Sequence, residues 1–164
     1  MTAEEIIEYY GLTPHPEGGF YRRTYTSYIE TDFKGEMRPV STAIFFLLVA
    51  GQYSRLHRIC QDEMWHFYLG GPLRLVQIEP NGTIQEIILG HDIAAKQMLQ
   101  YSVTAGSWFG ATPAKGSQFS LVGCTVAPGF SMQDLELGEA DELHTLFPSA
   151  AHIIKEFCPH ISRD

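Results

Sequence analysis

A short segment of the chain concentrates the side chains best suited to chemistry. Residues 51–70 contain His57, Glu63 and His66. Imidazole and carboxylate groups are common ligands of divalent metals, and they are also common proton carriers near neutral pH. The segment therefore predicts either a metal site or a proton-transfer site.

The alternation of side chains along a strand divides these three groups. If Glu63 points into the interior of a β structure, Trp65 and Phe67 point there as well, and His66 points to the opposite face. Glu63 and His66 then share a site only if a bulge intervenes. His57 and Glu63 are left as the predicted pair, on two strands that a tight connection would make neighbours.

Most of the surrounding chain is predicted to form short strands. Segments that alternate, or that are rich in β-branched and aromatic residues, are separated by glycine and proline. They span 20–28, 41–50, 73–79, 83–89, 100–103, 108–111 and 118–126. Asn81-Gly82 between two of them predicts a hairpin. The strands do not alternate with long helices, so the pattern indicates a sandwich or barrel rather than a doubly wound parallel fold.

Both ends of the chain are predicted to be helical. Thr2 and Glu5 form a capping-box pattern for a first helix. Near the other end, Ser149 is expected to cap a helix over 150–157, which follows a helix over 141–147. We expect these helices to pack on the outside of the barrel.

The composition predicts one globular domain over residues 1–164. Hydrophobic residues make up 45% of the chain and charged residues 18%, a usual balance for a folded domain. The net charge of -8 disfavours nucleic acid and anionic membrane surfaces as partners. The longest apolar run, 43–50, is too short to cross a bilayer. Cysteines without a CxxC spacing predict free thiols and a cytoplasmic protein.

The spacing around His57 resembles the first conserved motif of the cupin superfamily, which runs Gly, then His-x-His, then Glu, then Gly. Gly51, His57, Glu63 and Gly70 fall on this pattern. Ile59 stands in place of the second histidine.

The second cupin motif places another histidine after a Pro-x-Gly turn. The stretch 104–109 is similar to it, and Phe109 stands at the position of the histidine. A competing alignment uses Pro113 and brings Gln118 to that position. In either alignment the histidine is replaced.

Longer blocks across the chain resemble a subfamily of small cupin-type proteins of unknown function. The blocks are PHPEGGFYRRTY, TAIFFLL, DEMWHFYLGGPL, AGSWFGA and LVGCTVAPGFSMQDLEL. The resemblance implies an all-β double-stranded β-helix, that is, a jelly-roll barrel, with short N- and C-terminal helices and a homodimeric assembly. It also implies a distant relation to sugar-nucleotide epimerases.

Apolar residues occupy two of the four usual metal-ligand positions, at Ile59 and Phe109. A transition metal needs three or four N, O or S ligands, so His57 and Glu63 alone predict no metal cofactor. A metal held through these two residues remains an open alternative that metal analysis of the purified protein decides.

Without a metal, His57 and Glu63 are predicted to form a buried, hydrogen-bonded pair. The resemblance to cupin-type epimerases implies that His57 acts as a base beside a carboxylate, with Tyr21 as the facing acid and Tyr68 as a second candidate. The alternative is an internal polar contact that catalyses nothing.

Further residues are predicted to line a pocket. The segment 16–21 combines an acid, two glycines and an aromatic ring, and Arg23 can pair with a phosphate or carboxylate. Large aromatic side chains offer stacking walls for a sugar or base, with core packing as the alternative. The predicted ligand-binding residues are Glu17, Gly19, Arg23, Trp65, Phe67, Trp108 and Phe109. Cys124 is expected to be a small buried hydrophobe. No role is predicted for His15, His91, His144, His152 and His160.

Three functions are compatible with these observations. The leading hypothesis is a cytoplasmic cupin dimer whose aromatic-lined pocket binds a small polar metabolite, such as a sugar or nucleotide derivative, and isomerises it by proton transfer through His57. The second is a non-catalytic ligand-binding or sensing module. The third, a metal-dependent dioxygenase or isomerase, requires more ligands than the motif retains.

Overall fold

Strands form most of the regular structure in the computed structural model, which describes residues 1–158. Helix α1 spans Ala3–Tyr10, α2 spans Ala140–Leu146 and α3 spans Ala151–Phe157. The strands are β1 (Thr13–Pro14), β2 (Phe20–Thr26), β3 (Glu30–Phe33), β4 (Glu36–Pro39), β5 (Thr42–Val49), β6 (Ser54–Arg58), β7 (Asp62–Gly70), β8 (Leu73–Ile78), β9 (Ile84–Leu89), β10 (Gln100–Val103), β11 (Trp108–Pro113), β12 (Phe119–Ala127) and β13 (Glu136–Leu137). His160 lies outside the described residues.

Two antiparallel sheets face each other. The first has six strands in the order β1-β2-β5-β12-β7-β10, and the second has five in the order β13-β6-β11-β8-β9. Strands β3 and β4 form a separate hairpin. This arrangement, with short helices at both ends, confirms the predicted all-β jelly-roll barrel.

Strand β7 shows the alternation that the sequence predicts. Glu63, Trp65 and Phe67 are buried, while His66 lies on the outer face. There the His66 ring meets the side-chain oxygen of Thr125 at 3.1 Å. Glu63 therefore faces the interior of the barrel and His66 does not share its site.

The expected pairing of β6 with β7 is wrong. Strand β6 belongs to the second sheet and β7 to the first. The short connection over 59–61 crosses between the sheets instead of forming a hairpin turn. His57 on β6 and Glu63 on β7 therefore face each other across the barrel.

Three apolar clusters hold the layers together. The central cluster lies between the two sheets and includes Phe46, Trp65 and Phe109. A second cluster packs α2 and α3 against the second sheet, and a third packs α1 against the first sheet. The terminal helices therefore cover the outside of the barrel, as predicted.

The helix ends follow local sequence only in part. Thr2 and Glu5 form the predicted capping box of α1. Ser149 does not cap α3, because Pro148 starts a short 3-10 turn and the residue that precedes α3 is Ala150. Among residues 1–158, no helix is long and apolar enough to cross a membrane.

Candidate functional site

One end of the barrel opens into a pocket that contains the buried ionisable side chains. Its cavity volume is about 40 Å³. Seven of its lining residues carry ionisable groups: His15, Glu17, Tyr21, Arg23, His57, Glu63 and Cys124. Its apolar walls are Ile44, Ile59, Val126, Phe130 and Leu135.

A buried carboxylate and an imidazole meet at the centre of this pocket. Oε2 of Glu17 lies 2.9 Å from Nε2 of His57, and Oε1 of Glu17 accepts a 2.9 Å hydrogen bond from Ser54. Nδ1 of His57 lies 2.7 Å from the carbonyl oxygen of Arg55, to which it donates. Both nitrogens of His57 and both oxygens of Glu17 are thus engaged by protein groups.

The two partners hold each other in the charged state. Burial is the largest single influence on the pKa of His57 and lowers it, but the charge and hydrogen bond of Glu17, the charge of Glu63 and the Arg55 carbonyl together raise it overall. Burial is also the largest influence on the pKa of Glu17 and raises it, but the charge and hydrogen bond of His57, the charge of His15 and the hydrogen bond of Ser54 together lower it overall. The contact is therefore a buried ion pair.

The sequence predicted that His57 pairs with Glu63, and the structure corrects this. The loop before β2 places Glu17 beside His57, so that Glu17 and not Glu63 is the partner of His57. The backbone N–H of Arg55 donates to the carbonyl oxygen of Glu17 at 2.7 Å, which fastens the loop to β6. At Gly18 the φ angle is +112°, and a Cβ atom would lie 2.3 Å from the carbonyl oxygen of Tyr53. Glycine therefore permits the close approach that places Glu17.

Glu63 is buried in the same pocket, near the charges of Glu17 and His57. Burial and then the negative charge of Glu17 raise its pKa to about 7. The neighbouring Cys124 is also buried, and burial raises the pKa of its thiol well above the usual value. One pocket thus contains an ionised carboxylate at Glu17 and a carboxyl group that carries a proton near neutrality at Glu63.

Tyr21 and Arg23 extend the pocket toward its mouth. The Tyr21 ring packs edge-on against His15, with the ring centroids 4.5 Å apart. Nη2 of Arg23 lies 3.5 Å from the carbonyl oxygen of Phe130, and burial lowers the pKa of Arg23. Tyr68, the second candidate for an acid, lies on the outer face and is exposed.

His15 is a pocket residue for which the sequence predicted no role. Its Nδ1 lies 3.7 Å from Oε2 of Glu17, and burial lowers its pKa. Its position two residues before Glu17 in the sequence is the signal that could have identified it as a pocket residue.

The remaining predicted ligand-binding residues lie outside the pocket lining. Trp65, Phe67 and Phe109 belong to the central core, and Trp108 packs beneath the C-terminal helices. At Gly19 a Cβ atom would lie 2.7 Å from the carbonyl oxygen of Leu47, so this glycine serves close packing. The walls of the pocket are therefore mainly aliphatic rather than aromatic.

The residues at the cupin metal positions do not fit a metal. Phe109 packs against His57, with ring centroids 4.1 Å apart, whereas Gln118 is exposed. The first alignment of the second motif is thus the structural one. Ile59 and Phe109 offer no ligand atom, and both nitrogens of His57 already have partners. In the described part of the chain, no three His, Cys, Asp or Glu side chains are placed to hold one ion.

The jelly-roll barrel with its pocket at one end defines the class as a cupin. Residues 4–138 match the family model described as "Cupin superfamily (DUF985)". The chain belongs to this family. None of the curated proteins shows significant similarity to it.

Solved structures resemble the chain over nearly its whole length. A hypothetical protein from Leishmania major has 34% identity and a TM-score of 0.91, over 96% of this chain and 98% of its own. A protein from Shewanella oneidensis has 36% identity and a TM-score of 0.90, over 97% and 98%. A dTDP sugar isomerase from Desulfovibrio desulfuricans has 11% identity and a TM-score of 0.56, over 78% and 88%, a likeness of fold alone.

Proposed function

We propose that the pocket binds a small polar metabolite and isomerises it by proton transfer without a metal. The supporting observation is the 2.9 Å contact between Glu17 and His57 beside Glu63 in one pocket. The surroundings lower the pKa of Glu17 and raise that of Glu63 to about 7. Two carboxyl groups whose pKa values are moved apart are suited to act as base and acid.

The proposed base is the Glu17 carboxylate. The sequence suggested His57, but both nitrogens of that ring are engaged in the ion-paired state. A carboxylate oxygen has a further lone pair with which it can take a proton from a substrate. His57 keeps Glu17 ionised and balances the negative charge that develops on the substrate.

The proposed acid is Glu63, with Tyr21 as the alternative across the pocket. Glu17 takes the proton from a hydroxyl-bearing carbon next to a carbonyl. The electron pair of that C–H bond forms the carbon–carbon double bond of an enediol. The carbonyl oxygen takes its proton from Glu63. Glu17 then protonates the former carbonyl carbon while Glu63 recovers a proton from the neighbouring hydroxyl. The product is an isomer and both residues return to their starting states.

The proposed substrate carries an anionic group that binds Arg23. This guanidinium lines the mouth of the pocket, where it can form two parallel hydrogen bonds to a carboxylate or phosphate. The Desulfovibrio neighbour is a dTDP sugar isomerase, and a phosphate-bearing sugar matches this chemistry. Keto sugars with a phosphate or nucleotide group are therefore the first compounds to test.

The test is exchange of deuterium from solvent into a substrate. Sugar phosphates and dTDP-linked keto sugars are incubated with the protein in D₂O, and loss of a C–H signal is followed by proton NMR. Exchange is expected in the wild type, and Glu17→Gln, His57→Ala and Glu63→Gln should each reduce it at least about a hundredfold. The surface variant Glu136→Gln is the matched control. Exchange that survives both Glu17→Gln and His57→Ala would overturn the proposal.

A non-catalytic binding module is the second candidate. It is favoured by one observation, namely that protein groups already satisfy both ends of the Glu17–His57 pair. It predicts that a compound raises the melting temperature without conversion, because a ligand of the native state stabilises it by mass action. Turnover of that same compound would reject this candidate.

The homodimer and the cytoplasmic location remain predictions. Sedimentation equilibrium of the purified protein tests the first, and cell fractionation tests the second.

A further inference from the structure

A segment without regular strand structure contributes residues from both its ends to the pocket lining. We call residues 129–135 the strap. Phe130 and Leu135, near its two ends, line the pocket. Its start is fixed by hydrogen bonds from Gly129 N to the carbonyl oxygen of Pro39 at 2.7 Å and from Phe130 N to Oγ1 of Thr42 at 3.0 Å. Access to the pocket therefore depends on where the strap lies.

One carboxylate fastens the other end of the strap. Oδ2 and Oδ1 of Asp134 accept hydrogen bonds of 3.0 and 3.1 Å from the guanidinium of Arg38 on β4. Oδ2 also accepts from Nε2 of Gln61 at 2.9 Å and from the backbone N–H of Ser131 at 3.0 Å. Asp134 thus joins the strap to the β3–β4 hairpin and to the connection between β6 and β7.

The contact between Asp134 and Arg38 is nearly closed to solvent. The side chains are 7% and 9% exposed. Removing Asp134 takes away one of the two carboxylates that contact the Arg38 guanidinium. Arg38 has a second partner in Glu36, at 2.9 Å, on the same hairpin. Loss of Asp134 would therefore loosen the strap, which Gln133 still joins to Glu36, while the hairpin keeps its own ion pair.

We propose that Asp134 is a positioning residue that holds the strap over the pocket through Arg38, and that release of this contact admits the ligand. The strap has only a short 3-10 turn at Met132–Asp134, and besides Asp134 its second half is joined to the β3–β4 hairpin by a hydrogen bond from Nε2 of Gln133 to Glu36. The effect on turnover rests on the proposed function, whereas the opening of the pocket does not.

Two buried cysteines allow opening to be measured without a substrate. Cys124 lies inside the pocket, and Cys158 is buried in the cluster beneath the C-terminal helices. Alkylation of Cys124 alone reports opening of the pocket. Alkylation of both reports general unfolding.

The experiment is labelling of the full chain with N-ethylmaleimide, followed by peptide mapping. Asp134→Asn and Arg38→Met are each expected to label Cys124 about tenfold faster, the effect of a 1.4 kcal/mol change in opening. Labelling of Cys158 should stay unchanged, and so should labelling in the matched acid-to-amide variant Glu136→Gln on the exposed Arg58 pair. An unchanged Cys124 rate in both variants, or an equal rise at Cys158, would overturn the inference.

A kinetic measurement separates this inference from the proposed function. Where a substrate shows deuterium exchange, Asp134→Asn should raise KM more than it lowers kcat, because the strap does not touch the reacting atoms. If no turnover is found but Cys124 still becomes more reactive in the variants, the inference about the strap holds. Only the proposed isomerase activity is then rejected.

Discussion

Nε2 of His57 lies 2.9 Å from the carboxylate of Glu17, and the two groups reach this contact from different parts of the fold. His57 projects from β6, and Glu17 comes from the loop before β2. A cupin metal site would use the histidine as a ligand, whereas here the Glu17 carboxylate and the Arg55 carbonyl oxygen occupy its two ring nitrogens.

Glu17→Gln is expected to lower the pKa of His57 from its wild-type value. The variant removes the largest charge that raises this pKa and leaves burial, which lowers it. The pH titration of the His57 ring protons by NMR measures the change. Ser54→Ala, which removes one hydrogen bond to Glu17 and keeps the charge, should move the His57 pKa much less. A His57 pKa that is the same in wild type and Glu17→Gln contradicts the ion pair.

The free energy of unfolding of Glu63→Gln, relative to that of the wild type, is expected to increase as the pH rises. The folded-state pKa of Glu63 is about 7 against an ordinary 4.5, so the folded protein binds a proton that the unfolded chain has released. The wild type therefore loses stability as the pH rises from about 4.5 to 7, and the variant has no such loss. Between pH 5 and 8 the difference in unfolding free energy should move by roughly 2 kcal/mol in favour of the variant.

Urea denaturation of both proteins across that pH range measures this difference. Asp62→Asn, at the exposed neighbouring carboxylate, is the control. A difference that stays constant with pH would show that Glu63 is ionised in the folded protein at all these pH values.

Gly19→Ala is expected to destabilise the fold through packing. Both Gly19 and Gly51 have a positive φ angle, but only at Gly19 does a Cβ atom meet neighbours, with the carbonyl oxygen of Leu47 at 2.7 Å. Gly51→Ala should cost about 1 kcal/mol for its backbone conformation alone. Gly19→Ala should cost at least about 2 kcal/mol more, as measured by urea denaturation. Equal costs would contradict the close-packing role of Gly19.

Purified protein is expected to contain much less than one transition-metal ion per chain. The apolar side chains at Ile59 and Phe109 leave too few ligands, and His57 is already bound to Glu17. Elemental analysis of wild type and His57→Ala, grown in the same medium, tests this. A near-stoichiometric amount of Fe, Mn, Ni or Zn that His57→Ala loses would contradict the prediction.

The strands could be predicted because their interior and exterior faces differ strongly. Glu63 and Trp65 are buried on one face of β7, and Asn81-Gly82 connects two paired strands as expected. The β3–β4 hairpin over 30–39 was missed because it lies outside the two sheets and its residues lack a clear apolar alternation. Local patterns therefore reveal a strand where burial is one-sided, and miss it where both faces are polar.

The candidate site could be predicted only in part. His57 and Glu63 follow from motif spacing, but their relation to Glu17 depends on the loop conformation that Gly18 permits. The sequence assigned the aromatic residues to ligand binding. Side chains on the interior face of a barrel strand lie either in the core or in the pocket, and the sequence pattern does not distinguish the two. Which of the two a side chain joins depends on how far along the barrel it lies: Phe67 lies at the filled end and Glu63 at the open end.

Glu17 lies in a loop, whereas the packing that stabilises the barrel comes from other residues. The three apolar clusters draw on the strands and helices, and Glu17 belongs to none of them. The charge beside the buried His57 is therefore set by one loop position and not by the apolar clusters that stabilise the barrel.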